Sequence, residues 1–170
     1  MTLHIIDNKV ARSHFKQIGV VLVSMLITFW VAMVPVAKVN GFNVLPWLDI
    51  PFHIWGGFLL GILAVRILIL SEDIIDNTDH NTYLTSKILL LKKLLHRDRL
   101  EYEYRYLLFI VSFVIFWGVM WESWEYWMYV THRVAEWGGV VDTCKDMFDD
   151  TVGAILAYMY NLKIINRNSE

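Results

Sequence analysis

Seven carboxylates and one imidazole fall in or beside apolar runs, where such groups are costly. They are Asp49, Glu122, Glu125, Asp142, Asp146, Asp149 and Asp150, with His53 beside them. A charged side chain inside a bilayer is rare without a partner or a function. Mixed Asp, Glu and His donors suit a hard divalent cation. Mg²⁺, Mn²⁺, Ca²⁺ or non-haem iron fits better than Zn²⁺. Clustered acids in a low dielectric must hold protons or a cation. The metal-ligand candidates are Glu122, Glu125, Asp142, Asp146, Asp149 and Asp150. His53, oriented by Asp49, is the candidate catalytic acid or base. No HExxH or ExxH pair is present, so neither a zincin nor a ferritin-like di-iron pattern is supported.

Spacing groups these residues. Asp142, Asp146, Asp149 and Gly153 follow i, i+4, i+7, i+11, one helical stripe, with Asp150 beside it. Glu122 and Glu125 are i, i+3, and Asp49 and His53 are i, i+4. Asp49 and Asp142 could each also serve as helix caps. Lys145 and Arg133 offset part of the negative charge, but two cations do not balance seven acids. Cys144, the single cysteine, excludes an intrachain disulfide and a thiolate cluster, and reads as a small packed residue.

The elements that must carry these groups read as membrane spans. Of the 170 residues, 56% are hydrophobic and 19% charged, with a mean hydropathy of +0.44. That composition fits a polytopic membrane protein better than a soluble domain. The net charge of -2 says nothing about nucleic acid, and no basic patch interleaved with aromatics points to it, so no nucleic-acid partner is expected. Four stretches approach the length of about 20 residues that a span needs. They are Ile18 to Val39, Pro51 to Leu70, Tyr106 to Val130 and Thr143 to Leu162. The expected fold is all-α, one four-transmembrane-helix bundle over residues 1–170. The N-terminal run lacks a small-residue cleavage site and reads as a retained span. Between spans two and three, Ser71 to Arg105 contains TYLTSKILLLKKLLHRDR, an expected amphipathic segment on the cytoplasmic surface.

Lys9, Arg12 and Lys16 precede span one. Lys87, Lys92, Lys93, Arg97, Arg99 and Arg105 fill the long loop, and Lys163 and Arg167 follow span four. The positive-inside rule then puts both termini and the long loop in the cytoplasm. All the acids converge on the opposite, extracytoplasmic face. Gly56, Gly57 and Gly61 on span two, and Gly153 and Ala157 on span four, allow the close approach this needs.

The order DIPFHIWGG, WESWE, DTCKDMFDDTVGA resembles the small bacterial membrane proteins of the YjdF type, similar in pattern to VanZ-like proteins. The resemblance runs from Asp49 to Ala157, apart from the long loop. It carries over to Asp49, His53, Glu122, Glu125, Asp142, Asp146, Asp149 or Asp150, and Gly153. VanZ-like proteins are linked to glycopeptide resistance, so the resemblance implies a role at the cell envelope.

Three functions follow from these residues. The first is a metal-dependent enzyme acting on membrane lipids or a lipid-linked molecule. The second is an envelope accessory protein with a structural ion. The third is a proton- or cation-coupled transporter subunit, for which the inner halves of the spans offer only Arg66. A homo-oligomer stays open.

Overall fold

The computed structural model describes residues 8–39, 49–78, 99–132 and 138–168. Four helices make up the described chain: α1 (Asn8–Val39), α2 (Asp49–Thr78), α3 (Arg99–His132) and α4 (Val140–Asn168). No strand occurs among the described residues. The amphipathic segment expected at TYLTSKILLLKKLLHRDR lies almost wholly outside the described residues.

Each helix runs past the apolar stretch that defines it in sequence. α2 continues eight residues beyond Leu70, and α3 begins seven before Tyr106. At about 1.5 Å per residue, helices of 29 to 34 residues are roughly 44 to 51 Å long. A hydrocarbon layer is about 30 Å thick. All four helices are therefore longer than such a layer is thick.

Two segments are long and apolar enough to cross a membrane, Asp49–Glu72 in α2 and Glu103–Thr131 in α3. Only 33% and 22% of their apolar windows are buried within the protein. A core helix of a soluble protein would hide most of that surface. Here Leu108, Phe116, Val119, Met120 and Trp127 of α3 point outward. α1 shows a shorter apolar stretch, Phe15–Thr28. On it Val23, Leu26, Ile27 and Trp30 are exposed. Such an apolar exterior is stable in lipid and costly in water.

α2 and α4 form the main interface, α3 packs on both, and α1 leans on α2. Small residues set the α2–α4 distance. A Cβ on Gly57 would collide with the backbone carbonyl of Asp150, and one on Gly153 with that of Ile54. At Gly61 it would lie 2.6 Å from the Ala157 Cβ. Gly56 differs: a Cβ there meets nothing within 4 Å. It faces a cavity and takes no part in the packing that its sequence position suggests.

The core lies in the middle of this three-helix unit. Ala64, Val65, Tyr106, Ile110, Val114 and Ala154 are almost completely buried. They separate two polar layers. At one end, the Tyr106 hydroxyl donates to Glu72 at 2.6 Å, and Arg66 donates to the buried Asn161 at 3.4 Å. At the other end lie the acids.

Candidate functional site

The first turns of α2 and α4 place the site. α2 opens at Asp49, so Asp49 and His53 sit one turn apart on one face. α4 opens at Val140 after Gly139, whose φ of 88° is readily adopted only by a residue without a side chain. The Thr143 amide donates to the Gly139 carbonyl at 3.0 Å. That start brings Lys145, Asp146 and Asp150 to the α2 interface, one to three turns along.

His53 is the hub. Its Nδ1 lies 3.3 Å from Asp150 Oδ1. Its Nε2 lies 3.4 Å from Asp49 Oδ1 and 3.7 Å from Asp146 Oδ1. A carboxylate only accepts hydrogen bonds, so a ring donating from both nitrogens, an imidazolium, satisfies these contacts together.

Lys145 is the second cation. Its ammonium donates to Asp49 Oδ2 at 2.7 Å, to Asp146 Oδ1 at 2.8 Å and to Asp142 Oδ1 at 3.3 Å. Asp49 and Asp146 are thus shared by a lysine and a histidine. In sequence Lys145 reads only as a partial charge offset. Its i, i+3 spacing from Asp142 was the available signal; its reach to Asp49 depends on helix packing and has none.

The remaining acids separate. Asp142 stands at the rim, its side chain 46% exposed, with its carboxylate over Gly138. As the third residue of α4 it is past the capping position. Asp150 faces His53 with one oxygen and Gly118 of α3 with the other. Glu122 is buried against α4, where it accepts a 2.7 Å hydrogen bond from Thr143. Its other oxygen, and one oxygen of buried Asp149, have no hydrogen-bond partner among the described residues. Such an oxygen loses hydration without replacement, so it needs a proton, a water or a cation. Glu125 lies about 60° around α3 from Glu122, receiving a hydrogen bond from the Trp121 indole and lining a cavity.

That cavity has a volume of about 300 Å³ and lies among α1, α2 and α3. Asp49, His53, Glu125 and Asp150 give it a polar end. Met25, Phe52, Leu59, Leu60, Trp117 and Trp121 make its walls apolar. Trp55 of α2 donates to Thr28 of α1 at 3.1 Å and fixes α1 beside the opening.

One trio has metal-ligand geometry. Single donor atoms of Asp49, His53 and Asp146 all lie within 4.8 Å of one another. Around an ion bound at roughly 2.0 to 2.6 Å, ligand atoms sit about 3 to 5 Å apart. Only Asp146 of this trio is one of the six metal ligands that the sequence suggests, which gives His53 the part of acid or base and Asp49 that of its orienter.

The model of the family described as Predicted membrane protein (DUF2238) matches residues 10–167. The chain belongs to this family. The match takes in all four helices, so the paired acids of α2 and α4 lie inside the family's region. No curated protein and no solved structure matches the chain. For this DUF2238 member, then, membrane residence comes from family and surface together, while chemistry must be argued from the site itself.

Proposed function

We propose that the protein is a four-span inner-membrane protein whose acidic site opens to the extracytoplasmic face, binds a divalent cation and acts on a lipid or lipid-linked headgroup. The observation that carries this reading is the Asp49, His53 and Asp146 trio, of which Asp49 and His53 line the polar end of an otherwise apolar cavity. Two helices supply the donors, so the site exists only in the folded bundle. The unpartnered oxygens of Glu122 and Asp149 add to the demand for positive charge.

The residues take distinct parts. Asp49 and Asp146 would hold the cation, with Lys145 competing for the two carboxylates and His53 Nε2 beside them. A bound divalent ion would polarise a phosphoryl or carbonyl oxygen of the headgroup. His53, fixed between Asp49 and Asp150, is placed to move a proton at the cavity's polar end. The apolar walls would take the attached chain. The envelope role implied by the VanZ-like resemblance agrees with a site on the outer face.

A second reading is favoured by one observation. Lys145 and His53 already supply two positive charges to Asp49, Asp146 and Asp150. In an envelope accessory protein this network would hold the helices in place of the structural ion that the sequence suggests. The transporter reading has less support: the described interior between the site and Arg66 is the apolar layer of Ala64, Val65, Ile110 and Val114.

Elemental analysis decides between the first two. Purified protein is dialysed against mixed Mg²⁺, Mn²⁺, Ca²⁺, Fe²⁺ and Zn²⁺, beside an Asp146→Asn variant. About one ion per chain, lost in the variant, is the expected result. Metal at background in wild type, with every ion tested at millimolar concentration, would leave the accessory reading standing.

A further inference from the structure

Charge is distributed unevenly around the cavity. Three carboxylates and one imidazole line it, and no lysine or arginine does. Asp49 and Asp150 have cationic partners in Lys145 and His53. Glu125 has no salt-bridge partner among the described residues. It is about four-fifths of the way along α3 and held toward the cavity by the Trp121 indole. Trp117, Trp121 and Glu125 follow i, i+4, i+8 and form one wall.

A carboxylate lacking a counter-ion beside indole rings is the pattern that recognises an organic ammonium. The carboxylate supplies charge, and the ring faces supply cation–π attraction while tolerating apolar neighbours. The rest of the cavity favours hydrocarbon: Met25 from α1 and Phe52, Leu59 and Leu60 from α2. An anionic head would meet three carboxylates; a positively charged one would meet a partner for Glu125.

We propose that this cavity binds a membrane lipid with an amine headgroup, placing the ammonium between Glu125 and the Trp117 and Trp121 rings and a hydrocarbon chain against Met25, Leu59 and Leu60. The assignment rests on the lipid part of the function proposed above and is independent of the metal. It names that lipid's class: a zwitterionic head of the ethanolamine or choline type, selected over an anionic one. His53, on the opposite wall, then faces the linkage between head and chain.

The test uses quenching of tryptophan fluorescence by brominated short-chain lipids, added to the detergent-purified full chain in the presence of a chelator. Saturable quenching by the phosphoethanolamine lipid is expected at a concentration at least about tenfold below that for the phosphoglycerol lipid. Glu125→Gln should remove the preference and leave the quenching. Trp117→Leu, at an exposed position, should reduce the preference severalfold. Gly56→Leu fills the cavity from a position with open space and should abolish saturable quenching by both lipids. Elution volume and helical content show that each variant is folded.

Equal or tighter binding of the phosphoglycerol lipid by wild type overturns the proposal. So does a preference that survives in Glu125→Gln. Absence of quenching together with a dimer by light scattering would assign the cavity to a second copy of the chain instead. The chelator keeps the outcome separate from metal retention, so either proposal can fail without the other.

Discussion

Lys145 on α4 donates to Asp49 on α2 at 2.7 Å, joining residues 96 apart in sequence. The same ammonium holds Asp146 at 2.8 Å. Two of the three oxygen and nitrogen donors suited to a metal are therefore also the anchors of a lysine. A divalent ion and this ammonium draw on the same carboxylates.

That competition predicts the effect of Lys145→Met. Mn²⁺ affinity should rise about tenfold or more, read by isothermal titration or by the electron spin resonance of free Mn²⁺. Without added metal the variant should lose about 1 kcal/mol of stability, since the lysine side chain is 37% exposed and solvent screens its pairs. An unchanged Mn²⁺ affinity would mean that the ion, if any, binds elsewhere.

His53 is more deeply placed and makes contacts with three acids. His53→Leu should cost about 3 kcal/mol or more, because it strands carboxylates inside the bundle. Asp150→Asn keeps a hydrogen-bonding group against the ring and should cost less than half as much. Thermal unfolding in detergent, with both variants side by side, reads the difference. No loss at all in Asp150→Asn would place Asp150 outside the network.

Neighbouring glycines should respond in opposite ways. Gly57→Ala forces α2 off the Asp150 carbonyl and should lower Tm by many degrees. Gly56→Ala points into the cavity, where helix propensity favours alanine by up to about 1 kcal/mol, and should hold or raise Tm. The reverse order would contradict the helix register described above.

Cys144 tests the orientation. It is exposed and lies one residue from Lys145. In spheroplasts a membrane-impermeant maleimide should label it without permeabilisation. A cysteine placed at Ser86, in a variant with Cys144→Ser, should react only after the membrane is opened. The opposite pattern would turn the whole site toward the cytoplasm.

Some of this geometry is written in local spacing. The four helices follow from long apolar runs, and the shared end of the acids follows from chain reversal alone. Gly57, Gly61 and Ala157 lie at the α2–α4 contact, as small residues suggest. Other features depend on rotations that sequence does not carry. Glu122 and Glu125 are one turn apart, yet about 60° of helix rotation sends one to Thr143 of α4 and the other to the cavity. Gly56 and Gly57 look alike in sequence and differ entirely in surroundings. Asp149 and Asp150 separate in the same way: Asp150 meets His53, and Asp149 does not. The buried Asn161 at the far end gives no spacing signal, because a lone polar residue becomes meaningful only beside Arg66.

The partition of the site between α2 and α4 also has a temporal side. Chains are made from the N-terminus, so α2 emerges long before α4. During that interval Asp49 and His53 have each other but neither Lys145 nor Asp150. Their location in the first turn and a half of α2 lets them wait at the headgroups, in water. Only when the last helix arrives can this end of the bundle dry out and close. A ribosome stopped before Val140 would release a chain that holds Asp49 and His53 but none of their partners on the last helix.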